Sequence, residues 1–195
     1  MAKKLPTVIT REEFDKLLER AKKLRESYRM KRSKKLRDRG TKINQYIMAM
    51  CLAFGAGLRI SEIIGLPNKY EPLSFRQIEN NMIRITGKGQ KDRMTLLPIK
   101  IFRSAGITRE DLKNNLPLSI KRRSLQHFIE TLTFSVLGKR KSFHKLRHGF
   151  GTTLAGAGRP LHEIQMLMGH SRLDTTGIYL HANPKQATDA AQEAF

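Results

Sequence analysis

A glycine-ended helical pattern in the first third of the chain most constrains its fold. Large apolar side chains recur at helical spacing, and Gly55-Ala56-Gly57 then interrupts the pattern. The residues of this face are Ile43, Tyr46, Ile47, Met50, Cys51 and Phe54. Because glycine readily adopts the left-handed conformation that ends many helices, the pattern predicts a core helix with a glycine stop.

An amphipathic helix is predicted upstream of this core helix. Residues 1–9 contain Pro6 and no periodicity, which predicts a flexible lead. Thr10 and Glu13 then have the spacing of a capping box, and apolar residues follow at helical spacing as far as Leu24. The first regular element is therefore expected to begin directly after Thr10.

Three short strands are predicted after Pro72, where the period changes from helical to extended. They are Leu73 to Ile78, Met82 to Thr86 and Arg93 to Leu97, and short polar links join them. These links favour an antiparallel meander. The fold class is therefore α+β and mainly α-helical, with a small three-stranded antiparallel sheet.

Four further helices are predicted in the second half of the chain. Thr108 begins a short capped helix, Ser119 begins a longer one, and Ser142 caps a third. The last, around residues 161–168, ends at Gly169. Together with the core helix, these elements are long enough to enclose one main hydrophobic core.

The composition indicates a polyanionic partner. The chain of 195 residues has 38 Lys and Arg against 17 Asp and Glu, a formal charge of +21. Such an excess favours nucleic acid, although an RNA-binding protein or a merely basic surface has the same composition. The one cysteine, Cys51, precludes an internal disulfide, and the longest apolar run is too short for a membrane span. We expect a soluble intracellular protein of a reducing compartment.

Two basic segments are candidates for contact with DNA phosphates. The first contains Lys31, Arg32, Lys34 and Lys35, and the second contains Lys121, Arg122 and Arg123. The first is equally well explained as a solvated loop. Cations in the first turn of a helix oppose the helix dipole, so bound phosphates would offset the cost in the second. A basic face in solvent remains the alternative, and insertion of this helix into the major groove is the functional interpretation.

Cationic side chains that could contact a phosphate lie in two places in the middle of the chain. Arg59 is flanked by aliphatic residues, and Glu62 is placed to pair with it, so a structural arginine is the simpler interpretation. Lys88 and Lys91 lie at the tip of a predicted hairpin, where Gly87-Lys88-Gly89 lacks the spacing of a phosphate-binding P-loop. The hairpin could carry an ammonium group to a ligand phosphate, and a solvated turn is the alternative.

The C-terminal third combines imidazole, guanidinium and phenol groups at short spacing. His144, Arg147 and His148 fall within one turn of a predicted helix, and His170 precedes Tyr179 by a short polar link. A metal site at the two helical histidines is disfavoured, because Lys, Leu and Arg lie between them. Guanidinium and imidazolium groups can hold a phosphodiester while a phenol attacks phosphorus. Taken alone, Tyr179 is more simply a packing residue.

Four motifs in order resemble the catalytic domain of the tyrosine recombinases, the phage integrase and Xer family. They are GAGLRISEIIGL around Arg59, ITGKGQKDRMTLLP around Lys88, HKLRH at residues 144–148 and LMGHSRLDTTGIYLH around Tyr179. The resemblance spans roughly residues 8–182. Each motif is weak alone, but the four in register are specific.

The resemblance implies a role for each matching residue. Arg59 and Arg147 would hold the scissile phosphate, His144 and His170 would donate hydrogen bonds to it, and Glu62 and His148 would support them. Lys88, or less favourably Lys91, would protonate the leaving 5′ oxygen, and Tyr179 would form a 3′-phosphotyrosyl intermediate. No metal is implied, because fixed arginines would stabilise the charge of the phosphate, and no ATP is implied, because the intermediate retains the energy of the broken bond as a phosphodiester. Arg93 joins Lys91 and the two basic segments as an expected DNA contact.

The resemblance also implies an organisation of domains and partners. We expect a flexible lead at 1–9, the catalytic domain at 10–182 and a C-terminal tail helix at 183–195, without the family's N-terminal core-binding domain. Double-stranded DNA would be the partner, bound by a homo-tetramer with a dimer on each site, whereas the free protein would be a monomer or weak oligomer. A type IB topoisomerase-like enzyme and a catalytically silent DNA-binding relative are the rival interpretations.

Overall fold

The structure is a computed structural model that describes residues 8–86 and 92–169. In this part of the chain, eight helices accompany one three-stranded antiparallel sheet, which confirms the mainly helical α+β class. The helices are α1 Arg11–Arg29, α2 Lys34–Ala56, α3 Ile60–Ile64, α4 Ile99–Ser104, α5 Arg109–Asn115, α6 Arg122–Leu137, α7 His144–Gly156 and α8 Leu161–Met168. The strands are β1 Ile78–Glu79, β2 Met82–Thr86 and β3 Asp92–Leu96. None of the described helices is long and apolar enough to cross a membrane.

The central helix α2 supplies most of the core, and it ends as predicted. Its C-cap, Gly57, has φ 67°, the left-handed conformation that glycine adopts without strain. Phe54 near this end stacks on Phe14 of α1 with ring centroids 4.1 Å apart. Helix α7 packs on the same end of α2 so closely that a Cβ at Gly149 would lie 2.7 Å from the Phe54 ring. This contact brings Arg147 close to the end of α2.

The N-terminal helix confirms its predicted cap. Thr10 and Glu13 form the reciprocal hydrogen bonds of a capping box. Ile9, which the sequence placed in the flexible lead, is instead fully buried. The Nζ of Lys141 donates to the carbonyl of Val8 at 2.7 Å and to Glu13 at 2.7 Å, and these bonds hold the chain before α1 against the segment that leads into α7.

The basic segment before the core helix is part connection and part helix, so a solvated loop describes only its first half. Only residues 30–33 separate α1 from α2, so Lys34 and Lys35 lie in the first turn of α2. Their side chains are exposed, as are those of Lys31 and Arg32 in the connection. The pattern alone missed this extension because its residues have few apolar partners.

The sheet has the predicted antiparallel order, but its first strand is shorter than expected. Residues 73–77 form a loop and a 3₁₀ turn, in which the side chain of Gln77 bonds the backbone of Ser74 at 2.9 Å. This local bond replaces strand pairing, so β1 is reduced to Ile78–Glu79. The turn between β1 and β2 places Asn80 and Asn81 at positive φ, as tight hairpins require.

Two helix starts in the second half of the chain differ from the prediction. Ser119 does not begin α6, because its backbone N–H and hydroxyl group bond the side chain of Gln45, and the helix starts at Arg122 with Lys121 as N-cap. Ser142 does not cap α7, because Phe143, which lies directly before the first residue of the helix, already has helical backbone angles. Helix α4 was not predicted.

Candidate active site

Glu62 lies at the centre of the candidate site. This residue is in the first turn of α3 and is 6% exposed. One carboxylate oxygen accepts the backbone N–H of Arg59 at 2.7 Å, and the other accepts Nη1 of the same residue at 2.9 Å. The ion pair expected from the sequence is therefore present, and it fixes both ends of Arg59.

Arg93 is the second arginine on this carboxylate, which corrects the expectation that it contacts DNA. Its Nη1 and Nη2 donate to the two oxygens of Glu62, each at 2.9 Å, and its side chain is 9% exposed. Arg93 pairs with Ile85 across the sheet, so it lies on the buried face. The signal for this was the period-two alternation of Arg93, Thr95 and Leu97, of which the last two are buried.

Arg147 is the third arginine near Glu62. This residue is 2% exposed, and its Nη1 lies 4.0 Å from Oε2 of the carboxylate. Nη1 also donates to the carbonyl of Gly57, and Nη2 donates to the carbonyl of Met168 at 2.6 Å. These carbonyls belong to the C-terminal ends of α2 and α8, where the helix dipoles are negative. The carboxylate and the two helix ends together offset the cost of burying the guanidinium.

The end of α8 is held by all three arginines. The carbonyls of residues 167, 168 and 169 accept hydrogen bonds from Arg93, Arg147 and Arg59, in that order. The first and last of these bonds are 3.0 and 3.2 Å long. The helix stops here because Gly169 adopts φ 64°. The last described residue before His170 is thus bonded to Arg59.

The electrostatics keep Glu62 ionised. Burial acts to raise the pKa of its carboxyl group, but the hydrogen bonds and charge of Arg93, together with those of Arg59, lower the pKa to about 2. Three guanidinium groups and one carboxylate leave the cluster with two net positive charges. A site of this charge favours an anionic ligand.

The two histidines of α7 stand beside this cluster and are held neutral. Burial lowers the pKa of His144, and the positive charges of Arg147, Arg59 and Lys145 lower it further. Burial, His144, Lys145 and Arg147 likewise lower the pKa of His148 to about 4. The two imidazole rings meet edge to face with centroids 4.5 Å apart. An anion bound nearby would favour the protonated form of His144 and make it a stronger donor.

The arginines differ in their access to a ligand. The side chain of Arg59 is 39% exposed, whereas those of Arg147 and Arg93 are 2% and 9% exposed. Arg59 therefore presents the open face of the cluster. A tetrahedral phosphate group matches this arrangement, because guanidinium groups hold its oxygens with paired, charge-assisted hydrogen bonds.

Comparison with known proteins identifies the family that shares this arrangement of motifs. Residues 7–186 match the model of the phage integrase family. The chain belongs to the phage integrase family. A tyrosine recombinase of Pseudothermotoga lettingae is 34% identical over 154 residues, which cover 74% of this chain and 52% of that protein. The tyrosine recombinase XerA of Thermococcus onnurineus is 32% identical over 205 residues, covering 98% of this chain and 64% of the relative.

Solved structures of recombinases agree with the fold. The XerH site-specific recombinase, bound to a palindromic difH substrate in a post-cleavage complex, superposes with a TM-score of 0.67 at 25% identity and covers 96% of this chain. The XerA recombinase superposes with a TM-score of 0.64 at 22% identity and covers 98% of this chain. These matches confirm the catalytic-domain fold. The chain spans about half the length of several of these relatives.

Four residues that the family resemblance singles out lie outside the described residues. Lys88 and Lys91 fall between β2 and β3, and His170 and Tyr179 follow Gly169. The tail helix expected at 183–195 also lies there. The structure does bring Arg59, Glu62, His144, Arg147 and His148 together, as the preceding distances and pKa shifts show.

The second basic segment lies beside two further basic residues of the core helix. Lys121, Arg122 and Arg123 are exposed at the start of α6. Arg123 lines one groove together with Arg39 and Lys42 of α2, and Asp and Glu are absent from the residues that line it. Sequence reasoning placed Arg39 in the first basic segment and did not select Lys42, because only the packing of α2 beside α6 places these two residues next to Arg123.

Proposed function

We propose that the chain is the catalytic domain of a site-specific DNA recombinase or integrase. It cleaves and rejoins DNA through a 3′-phosphotyrosyl intermediate, without metal or ATP. The proposal rests on one observation: Arg59 and Arg147 both lie beside the carboxylate of Glu62 and both bond the C-terminal end of α8. Family membership and the complete set of motifs support the same conclusion.

The arginine cluster is suited to stabilise phosphoryl transfer. Negative charge accumulates on the non-bridging oxygens as the nucleophile approaches, and fixed guanidinium groups stabilise it without reorganising. In this proposal Arg59 and Arg147 bind those oxygens. Their internal partners keep them in place before DNA arrives, which lowers the entropic cost of assembling the site.

The remaining roles follow from the chemistry of the reaction. The phenolic oxygen of Tyr179 attacks phosphorus, the bond to the 5′ oxygen breaks, and the phosphate becomes attached to the tyrosine. Lys88, with Lys91 as the alternative, gives a proton to the leaving oxygen, and His144 and His170 donate hydrogen bonds to the phosphate and assist proton transfer. Attack of a 5′ hydroxyl group on the intermediate reverses the step and reseals the strand.

The exposed basic residues would bind the DNA backbone on either side of this centre. The two segments, residues 31–35 and 121–123, would each contribute contacts to phosphates, and Arg39 and Lys42 would extend the second. If about 6–10 phosphates are neutralised, affinity should fall roughly 10³–10⁵-fold between 50 and 200 mM salt. A salt-independent affinity would contradict this interface.

The partner in this proposal is double-stranded DNA, bound by a homo-tetramer with a dimer on each site. Two DNA-bound relatives, XerH with its difH substrate and the Tn1549 transposon integrase with circular intermediate DNA, support the choice of ligand. The reaction would take place on DNA in the cytoplasm.

The experiment uses a suicide DNA duplex, in which a nick near the scissile phosphate lets a short fragment escape after cleavage. Wild-type protein is expected to form an adduct that survives a denaturing gel, and Tyr179→Phe is expected to form none. With intact substrates, exchanged strands or four-way junctions indicate recombination, whereas relaxed circles alone indicate topoisomerase-like resealing. DNA binding without any adduct would identify a silent DNA-binding relative and overturn the proposal.

A further inference from the structure

Arg93 occupies a position that the proposed chemistry does not use. Its Nη1 and Nη2 bond the carboxylate of Glu62, and its Nε donates to the carbonyl of Leu167 at 3.0 Å. With 9% of its side chain exposed, Arg93 is poorly placed to contact DNA. It nevertheless shares the carboxylate of Glu62 with Arg59, and in the proposed function Arg59 binds the scissile phosphate.

We infer that Arg93 is a positioning residue that acts through Glu62: it balances the charge of this carboxylate and so leaves the charge of Arg59 to the phosphate. The inference rests on the proposed function and adds a residue to it. Its basis is the geometry of the shared carboxylate, in which Oε1 accepts hydrogen bonds from both arginines at 2.9 Å.

Glu62 has two opposing effects on the site. It fixes the backbone and side chain of Arg59, but its negative charge also weakens the attraction between Arg59 and an incoming phosphate. The carboxylate is 5% exposed, so water screens this effect poorly. Arg93 makes a bidentate pair with the same carboxylate and compensates for its charge without giving up the contact that fixes Arg59.

The net charge of the cluster matches the charge that develops during the reaction. Arg59, Arg93, Arg147 and Glu62 together carry two positive charges. A phosphodiester carries one negative charge, and attack by a phenolate raises this to two in the pentavalent transition state. Without Arg93 the cluster would carry one positive charge, and the transition state would lose more stabilisation than the bound substrate.

The test compares two suicide duplexes, one with a normal scissile phosphate and one with a methylphosphonate at the same position. The methylphosphonate is neutral when bound and carries one negative charge in the transition state, so it needs less positive charge from the protein. Arg93→Gln is expected to slow adduct formation on the phosphate roughly 10–100-fold and on the methylphosphonate much less. The ratio of the phosphate rate to the methylphosphonate rate should therefore fall in Arg93→Gln. In Arg93→Lys this ratio should stay near that of the wild type.

A double variant separates charge balance from structural support. Glu62→Gln combined with Arg93→Gln removes one charge of each sign, so Arg59 and Arg147 again leave the cluster with two positive charges. It also avoids a buried carboxylate that has lost its bidentate partner, so it provides the test if Arg93→Gln alone fails to fold. The double variant is expected to recover the wild-type rate ratio, even if its absolute rates remain lower.

Arg84→Gln serves as the matched control, because Arg84 lies on the adjacent strand, is 66% exposed and pairs with Asp92. It is expected to leave the rate ratio unchanged. The inference would be overturned if Arg93→Gln slowed both substrates equally, or if the double variant kept a reduced ratio. Absence of any adduct from the wild type would instead overturn the proposed function, and the inference with it.

Discussion

Replacing Glu62 with glutamine removes a buried charge at almost constant side-chain volume, so its effect on stability reports the electrostatics of the arginine cluster. The folded protein holds the pKa of this carboxyl group at about 2, below its ordinary value of 4.5. The ionised form therefore stabilises the fold above that ordinary value, and the contribution is lost as the pH falls towards 2. The difference corresponds to about 3 kcal/mol at neutral pH.

The assay is denaturant unfolding of wild-type protein and Glu62→Gln at several pH values. Near neutral pH the variant should be less stable by roughly 3–5 kcal/mol, because Arg93 and Arg147 remain buried without their carboxylate. By about pH 3 the wild type should have lost roughly 2 kcal/mol of this advantage, since the unfolded chain takes up a proton that the folded chain resists. Parallel stability curves over this range would refute the assignment of Glu62 as the ionised centre.

Three further perturbations test the packing around the site. Gly149→Ala should lower the free energy of unfolding by about 1–3 kcal/mol in denaturant titrations, because its Cβ would clash with the carbonyl oxygen of Ile9. An unchanged midpoint would contradict this close contact. Lys141→Met should cost about 1–3 kcal/mol in the same assay, because it leaves the carbonyl of Val8 without its donor and removes the ion-pair partner of Glu13. A variant as stable as the wild type would show that these bonds contribute nothing. As the pH falls from 6.5 to about 4, the free energy of unfolding should decrease less in His148→Gln than in the wild type, since the folded state keeps this imidazole neutral while the unfolded chain protonates it. Equal slopes for both proteins would argue against a neutral His148.

Sequence patterns predicted the elements whose stability is local. The capping box at Thr10 and the stops at Gly57 and Gly169 depend on neighbouring residues, and each was found where predicted. The extension of the core helix to Lys34 and the start of α6 at Arg122 were missed. In the second case the decisive contact is with Gln45, which is remote in sequence, so the local pattern could not reveal it.

The sequence predicted only part of the candidate site, because residue spacing reveals local pairs but not contacts between residues remote in sequence. The pairing of Arg59 with Glu62 follows from a separation of three residues at the start of a helix. The role of Arg93 depends on a bond between α3 and β3, whereas the sequence analysis grouped this residue with Lys91 as an expected DNA contact. Charge alone does not distinguish a buried arginine from an exposed one, although the alternation along β3 does.

The most direct measurement of the central claim is identification of the residue that becomes linked to DNA. The covalent product from the suicide duplex can be digested with nuclease and protease, and the peptide that carries the 3′ nucleotide can be sequenced by mass spectrometry. The chain has four tyrosines, so the assignment is unambiguous. The account predicts modification at Tyr179 alone. Modification at Tyr28, Tyr46 or Tyr70, or a wild-type protein that binds DNA and never becomes linked to it, would contradict it.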